Sequence, residues 1–516
     1  MNQAARDIIS GRTFTANQRF DCDVVIVGSG ASGAVVAQCL TEAGLHVIVV
    51  EEGPNVTSEQ HARMRPTESM RHTWRQGAFS AALGVGDSPV INVTMGRCIG
   101  GSSTLTGGVC FRTPGHVLDR WAGERQLKGL SEKELEPYFD DVERVSHVQT
   151  VPTDLRSRST TLWDAGCQKA FGATLKPTRR NMRDCDGCAK CNFGCPQQHK
   201  MSVDRTYLPA ALRSGATILS DCLVTRVVTS AGRATGVEGR FVTTSSGQRG
   251  ARFQVSAKWV VLAAGAAHTP LLLMRSGIAK ASGQCGRNMT LHPSIRMTAL
   301  FNERVEGWKG AMQSAYTDHF EHDGVTLISV FVPPAAIVTG MPGMGPELMD
   351  RVAKFPHTAM FGGLIHDEAG GRIWRIPGTD PLMTYRVTPD TRPRFAIALR
   401  RLAEAYIAAG ATHLYLPVLG HAAVSVDEFR RLDVEKIPLR RWEVSSQHPM
   451  GTCRMGTDRM HSVTDSWGHV WDCERLTIVD GSTVPTSLGV NPQLTIMALA
   501  LRFGRHLAGE IPRRTA

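Results

Sequence analysis

The sequence predicts an α/β fold. A Rossmann-like nucleotide-binding domain is expected to be discontinuous along the chain, with a second, sheet-and-helix domain built from inserted segments. Two observations carry this expectation. A strand, glycine turn, helix, strand and acid follow one another at the start, and further ligand-site signals recur in the middle and at the end. At 516 residues the chain is also too long for a single hydrophobic core.

The opening pattern is read residue by residue. Val24-Val25-Ile26-Val27 is a short apolar run, as expected of a strand buried on both faces. Gly28-Ser29-Gly30-Ala31-Ser32-Gly33 follows, and Ala34 to Leu40 reads as a helix. A second apolar run, Val47 to Val50, ends in Glu51. Gly28 and Gly30 permit a tight turn and close approach to a pyrophosphate, which would sit at the helix N-terminus. Gly33 lets the helix pack on the strand. Glu51 lies 18 residues beyond Gly33, about where an acid binds ribose hydroxyls. A bare GxGxxG is weak, and its bland reading is a glycine turn in an ordinary βαβ unit. The flanking strands, helix and acid make it specific.

Further along, Cys222 to Val228 and Val255 to Ala264 have the look of strands. Gly265 opens a helix through Leu271-Leu272-Leu273-Met274 that stops near Gly277. Arg394 to Ala409 is helical, because Phe395, Leu399, Leu402 and Tyr406 recur at helical spacing and Gly410 closes the run. Residues 150–161 read as an exposed loop, and Asp184 to Lys200 is irregular and rich in cysteine. Near the end, QHPMGTCRMG places His448 before a proline, and GVNPQLT does the same for Asn491. Between them Ile478-Val479-Asp480-Gly481 reads as a strand ending at a ligand. The expected division is 15–130, 200–290 and 440–516 for the nucleotide domain, 131–199 for a Cys-rich loop and lid or insert, and 291–439 for the second domain.

Composition fixes the broad class. With 42% hydrophobic and 20% charged residues, the chain is ordinary globular protein. No apolar stretch reaches the length of a membrane span; the best, Val325 to Val338, is short and holds Pro333 and Pro334. The Met-rich segment Val325 to Gly345 reads as core in preference to a lipophilic pocket wall. The net charge of +11 is spread out, with local runs only at Lys176 to Arg183, Arg400-Arg401 and Arg513-Arg514. No nucleic-acid motif accompanies these runs, so no nucleic-acid partner is expected. The opening MNQAARDIISGRTF has no apolar signal core, so the expected location is cytoplasmic.

Together the motifs resemble the glucose-methanol-choline (GMC) FAD-dependent oxidoreductases over nearly the whole chain. Besides GSGASG and Glu51, they include Gly96-Arg97-Cys98-Ile99-Gly100-Gly101-Ser102-Ser103 and the stretch from Gly265 through His268-Thr269-Pro270 to Ser276-Gly277-Ile278. Gly286-Arg287-Asn288 through His292-Pro293 and the two terminal motifs complete the set. The resemblance implies a discontinuous Rossmann-like FAD-binding domain, a substrate-binding domain and oxidation of an alcohol. It assigns FAD contacts to Gly28, Gly30, Ser32, Gly33 and Glu51, to Gly101 and Ser102, and to Val224 through its backbone. It adds Gly265, Asp480, Gly481 and Pro492. Thr106 stands where many relatives have asparagine. No histidine occupies Thr104 or Leu105, so noncovalent FAD is expected; Cys98 reads as a buried thiol near the ring in preference to an attachment site.

The chemistry follows from residue type. Hydride passes from the alcohol carbon to flavin N5, and the hydroxyl proton must also leave. Imidazole accepts a proton near neutral pH, which makes His448 the general-base candidate. The Asn491 amide, with a donor and an acceptor, can hold the substrate oxygen. The bland readings are a core histidine before a turn for His448 and a turn-capping amide for Asn491. His292 reads as structural. Two other functions fit the same cofactor: a noncatalytic electron-transfer flavoprotein, and a lyase with an unused flavin.

Cys185, Cys188, Cys191 and Cys195, with Pro196 next, have the bacterial ferredoxin spacing for an iron–sulfur cluster. The loop also resembles that of FAD-dependent glucose and fructose dehydrogenases, and a related loop occurs in the long-chain alcohol oxidase branch. Three readings stay open: a 3Fe-4S or 4Fe-4S cluster, tetrahedral zinc, or four thiols without metal. A cluster would favour a dehydrogenase that passes electrons to an acceptor protein, and its absence an oxidase that uses O2. Sugar-dehydrogenase relatives also make export with a signal-bearing partner an alternative to the cytoplasm.

Overall fold

The computed structural model describes residues 8–243, 246–331, 343–421 and 423–512. Most of the second half of the Met-rich segment, 332–342, and the Arg513-Arg514 run lie outside these residues.

Among the described residues, the first of two large sheets has eight strands. Strand Gln18–Val27 lies at its centre, parallel to Val47–Val50 on one side and to Gln248–Leu262 on the other. Ile9–Ser10 and Thr217–Ser220 extend one edge, also in parallel. Every residue from Cys22 to Val27 is buried, as the apolar run Val24 to Val27 requires. On its other edge Gln248–Leu262 serves two neighbours. Its first half pairs antiparallel with Arg233–Thr243, and its last three residues pair parallel with Leu476–Ile478. That second pairing brings the C-terminal motifs beside the opening βαβ unit, across more than 400 residues of chain. Helix Ala31–Glu42 follows the glycine turn and packs against the terminal helix Gln493–Glu510.

The second sheet has twelve strands. Its centre is Ser294–Leu300 paired with Thr358–Ile365, the latter buried at every residue. Helices Arg158–Phe171 and Arg392–Ala408 pack on it. The ring of Trp163 stacks on Phe361 with centroids 4.1 Å apart. Strands Ala81–Gly84 and Ile91–Val93, inside the 15–130 segment, belong to this sheet, as does Val444–Ser446. The two sheets therefore exchange chain several times, and Lys176–Pro177 from the 131–199 insert lies at the far edge of the second one.

Local signals mostly landed where sequence placed them. Helix Gly265–Ser276 ends at Gly277 with φ +74°, and Gly410 follows helix Arg392–Ala408 with φ +96°. Residues 150–161 differ from the expected loop. Ser157 caps helix Arg158–Phe171 through its hydroxyl, 3.3 Å from the Thr160 N–H, so the helix starts inside that stretch. The Cys-rich segment is irregular as expected, with one short 3-10 turn at Cys191–Phe193.

Trp163 is fully buried, so Trp163→Ala removes the stack and leaves a cavity. The expected cost is about 3–5 kcal/mol, read as a lower urea midpoint of the holoenzyme. An unchanged midpoint would contradict a core organised on this pair.

Candidate active site

One elongated cavity of about 260 Å³ runs from the opening glycine turn to the C-terminal motifs. Its wall is set first by backbone geometry. Gly28 has φ +102°, and a Cβ there would lie 2.3 Å from the Ala263 carbonyl oxygen. A Cβ at Gly33 would lie 2.0 Å from the Gly28 oxygen, so only glycine lets the helix sit this close to the strand. Beyond that contact, a Cβ on Gly30 or Gly265 would meet nothing within 4 Å. Both positions line the cavity, which leaves bare backbone facing a ligand.

The acid after the second strand closes this end. Glu51 is buried, and its carboxylate accepts from the Ser29 N–H at 3.0 Å, the Ser29 hydroxyl at 2.8 Å and the Gly53 N–H at 2.8 Å. Burial raises its pKa, against the pull of those donors. The Ser29 hydroxyl also accepts from the Gly100 N–H at 3.1 Å. One side chain thus ties the first glycine loop to the second, which carries Gly101 and Ser102. The Ser102 hydroxyl in turn accepts from the Gly96 N–H at 3.0 Å.

At the other end stand His448 and Asn491. The Asn491 amide nitrogen is 3.1 Å from His448 Nε2. An amide N–H donates, so Nε2 accepts and the neutral ring carries its proton on Nδ1. That Nδ1 is buried without a hydrogen-bond partner. Burial pushes the His448 pKa down to about 4, which keeps the ring neutral at physiological pH. The backbone N–H of His448 donates to the Ser446 hydroxyl at 3.0 Å.

The loop bearing Asn491 is held from beneath. His292 Nε2 accepts the N–H groups of Leu488 and Gly489 at 3.0 and 3.2 Å, and its ring meets His448 edge-on at 5.4 Å. Asp367, 1% exposed, accepts from the N–H groups of Leu291 and His292, the Tyr385 hydroxyl and the Ser487 hydroxyl. Sequence reading found no role for Asp367. Its only local signal is an acid in an apolar stretch, and its four donors come from three distant segments.

The predicted contacts Gly28, Gly30, Ser32, Glu51, Gly101, Ser102, Thr106, Val224, Gly265, Asp480, Gly481 and Pro492 all line this cavity with His448 and Asn491. Gly33 stands behind the wall. Asp480 lines it too, but its carboxylate points into the protein. It accepts from the Gly265 N–H at 2.8 Å, the Thr269 hydroxyl at 2.5 Å and the Ser482 N–H at 2.9 Å. Cys98 is off the wall, with its thiol 3.8 Å from the Gly101 carbonyl and its pKa raised far by burial. His268 and Arg75 are wall residues that sequence reading passed over. Arg75 joins Glu52 at 2.6 Å to Asp380 at 2.9 Å, and His268 Nε2 reaches the same Asp380 at 3.2 Å.

A smaller pocket holds all four cysteines of the motif, together with Arg180 and Lys200. Arg180 donates to Cys191 Sγ at 3.0 Å and to the Gly107 carbonyl at 2.8 Å. Lys200 donates to the carbonyls of Thr104, Thr106 and Cys191 at 2.5, 2.9 and 2.9 Å. Burial alone would raise the Cys191 thiol, but these two cations bring its pKa below the usual thiol range. Among the described residues, no three of the cysteine sulfurs lie within 4.8 Å of one another. Two buried cations beside the sulfurs suit the negative charge of a thiolate-rich centre.

Bare glycine backbone, a buried acid after the second strand and an imidazole–amide pair share one cavity, an arrangement suited to a dinucleotide redox cofactor. Known proteins agree. The GMC oxidoreductase family matches residues 22–294 and 377–500. An uncharacterized GMC-type oxidoreductase of Mycobacterium tuberculosis is 34% identical over 93% of this chain and 74% of its own length. A long-chain-alcohol oxidase of Arabidopsis thaliana is 27% identical over 96% of this chain and 68% of its own. A 2-methyl-1,2-propanediol dehydrogenase of Mycolicibacterium austroafricanum is 28% identical over 94% and 95%. The crystal structure of pyridoxine 4-oxidase from Mesorbium loti superposes with a TM-score of 0.69 at 20% identity, over 94% of this chain and 99% of that one. The chain belongs to the GMC oxidoreductase family. It is an FAD-dependent oxidoreductase with a discontinuous Rossmann-like FAD-binding domain and a substrate domain.

Removing the Asp367 carboxylate would strand two backbone donors and the Tyr385 hydroxyl in the core. Asp367→Ala is therefore expected to cost about 3 kcal/mol or more, measured by urea denaturation of the holoenzyme. A cost below about 0.5 kcal/mol would remove Asp367 as the anchor of the Asn491 loop.

Proposed function

We propose that the protein is an FAD-dependent alcohol dehydrogenase in which His448 is the general base and Asn491 holds the substrate oxygen. The 3.1 Å contact between the His448 ring and the Asn491 amide carries this reading. A hydroxyl inserted there accepts from the Asn491 amide and donates to His448 Nε2, replacing their mutual bond. Proton removal raises electron density on the alcohol oxygen as hydride leaves the adjoining carbon. FAD supplies the two-electron acceptor, and the residues fit it. Bare glycine backbone, Glu51 and the two loops tied by Ser29 would hold its nucleotide half noncovalently, with Val224, Gly265, Asp480 and Gly481 along its length and Pro492 beside Asn491. The names of the alcohol oxidase and diol dehydrogenase relatives support alcohol as the substrate class.

Cys185, Cys188, Cys191 and Cys195 would hold an iron–sulfur cluster, which supplies single-electron relay to an acceptor protein. The cysteine spacing in sequence and the cations Arg180 and Lys200 support it. So does proximity, since Lys200 and Arg180 grip the carbonyls of Thr104, Thr106 and Gly107, and Thr106 and Gly107 line the FAD cavity. A second reading is an oxidase returning electrons to O2, with zinc or no metal in the loop; the Arabidopsis relative's name favours the oxidase. Among the described residues no helix is long and apolar enough to cross a membrane.

An anaerobic absorbance spectrum with iron, sulfide and zinc analysis distinguishes these readings. Flavin bands with iron and sulfide support the dehydrogenase; flavin alone, with rapid reoxidation by O2, supports the oxidase. His448→Ala is expected to retain FAD and lose at least about 10²-fold in flavin reduction by alcohol. Unchanged reduction would remove the base assignment. The depressed pKa also has a sign: His448 is neutral above about pH 4 and protonated below it. The acid limb of kcat/KM is therefore expected nearer pH 4 than the ordinary histidine value of about 6.5, and a limb at the ordinary value would contradict a fully desolvated base.

A further inference from the structure

We propose that His469, His506 and Glu510 form a metal site, separate from the FAD cavity and the cysteine loop, that takes one divalent ion of the zinc type. His506 and Glu510 stand one turn apart on the last turns of helix Gln493–Glu510, so both point to the same side. His469 comes from the loop before strand Leu476–Ile478. One ligand atom from each of the three lies within 4.8 Å of the others. Glu510 Oε2 is 3.1 Å from His469 Nε2, and Glu510 Oε1 is 3.2 Å from His506 Nε2. A tetrahedral zinc ion with bonds of about 2.0–2.1 Å spaces its ligand atoms roughly 3.3 Å apart. Each imidazole stands at this spacing from one carboxylate oxygen, and small side-chain shifts would bring three ligand atoms from within 4.8 Å onto one ion.

The surrounding contacts orient the ligands. His469 Nδ1 faces Asp465 at 3.4 Å, the carboxylate–histidine arrangement that leaves Nε2 as the free lone pair. The same Asp465 accepts the N–H groups of Trp467 and His469 at 2.8 and 2.9 Å, which fixes the loop. His469 Nε2 is a buried atom and makes no well-directed hydrogen bond. The His506 ring stacks on Trp467 at 4.0 Å, and the Arg502 guanidinium covers the same indole at 3.6 Å. Arg502 also donates to the Ser466 carbonyl at 2.5 Å. Both imidazoles are thus held by packing before any ion arrives. Two imidazoles and one carboxylate prefer zinc, cobalt or nickel to magnesium or calcium. Three protein ligands leave a fourth position, and Glu510, 35% exposed at its side chain, places it toward water. The ion would clip the terminal helix to the 465–469 loop. That helix packs on Ala31–Glu42 behind the pyrophosphate turn, so the clip would stiffen the FAD-binding domain.

The competing arrangement is a metal-free network in which protonated imidazoles pair with Asp465 and Glu510. Cobalt(II) titration of chelator-stripped holoenzyme decides between them. Nitrogen–oxygen ligation gives weak visible bands, whereas thiolate ligation adds strong near-ultraviolet charge transfer, so a cobalt-loaded cysteine loop is separately visible. The expected result is one equivalent of thiolate-free cobalt, retained in Cys188→Ser. Affinity should fall about tenfold or more in His506→Ala and in Glu510→Gln, with alcohol oxidation unchanged. Zinc should raise the thermal midpoint of the wild type and not of either variant. Glu510→Gln keeps both stacked rings, so it reports on ligation if His506→Ala folds poorly. No thiolate-free bands at millimolar cobalt, or equal binding by wild type and Glu510→Gln, would overturn the proposal.

Discussion

The structure depends on two glycine loops meeting without side chains between them. A Cβ added at Gly101 would lie 3.0 Å from the Gly30 Cα. The hydroxyl of Ser29, completely buried, is shared between the Glu51 carboxylate and the Gly100 N–H. Lone backbone donors in a buried groove are costly unless something pairs with them. Here Ser29 and Glu51 satisfy those that face inward and leave the groove's outer backbone to a ligand. The parallel sheet behind the loops is rigid because its strands are apolar on both faces, so the loops have a fixed base.

The catalytic end is built on a different principle. Burial, not a neighbouring charge, sets the His448 ring neutral, because no carboxylate is among the causes of its depressed pKa. Desolvation disfavours the imidazolium, so the free ring is a neutral acceptor and a weaker base than imidazole in water. Precision comes from below. Asp367 holds the His292 backbone, His292 holds the Leu488–Gly489 backbone, and that loop presents Asn491. The links through Asp367 and His292 are buried and the last, to His448, is part-buried, so the amide is positioned by the core beneath it.

Charge is handled locally throughout. Despite an overall +11, the cations near the cavity are engaged: Arg75 with Glu52 and Asp380, and Lys200 with three carbonyls. Arg180 and Lys200 give the cysteine loop its distinctive electrostatics, drawing the Cys191 thiol toward the thiolate while bracing the Thr104–Gly107 wall. The same two side chains thus couple the loop mechanically to the FAD cavity.

Sequence alone determined what is local. Glycine spacing in GSGASG, the apolar runs Val24–Val27 and Val47–Val50, the acid at Glu51 and the helix stops at Gly277 and Gly410 follow from short-range sterics and periodicity, and they fixed the fold class. The terminal motifs likewise named His448 and Asn491, because a polar residue before proline on a tight turn is a local pattern. Tertiary structure decided what depends on distant partners. It turned the Asp480 carboxylate inward to cap helix Gly265–Ser276, made Asp367 the hub beneath His292, and set the sulfur separations in the cysteine loop. It also brought His469 to His506 and Glu510. These outcomes rest on chain segments that meet only after the sheets close, and no window of residues encodes a distance across that closure.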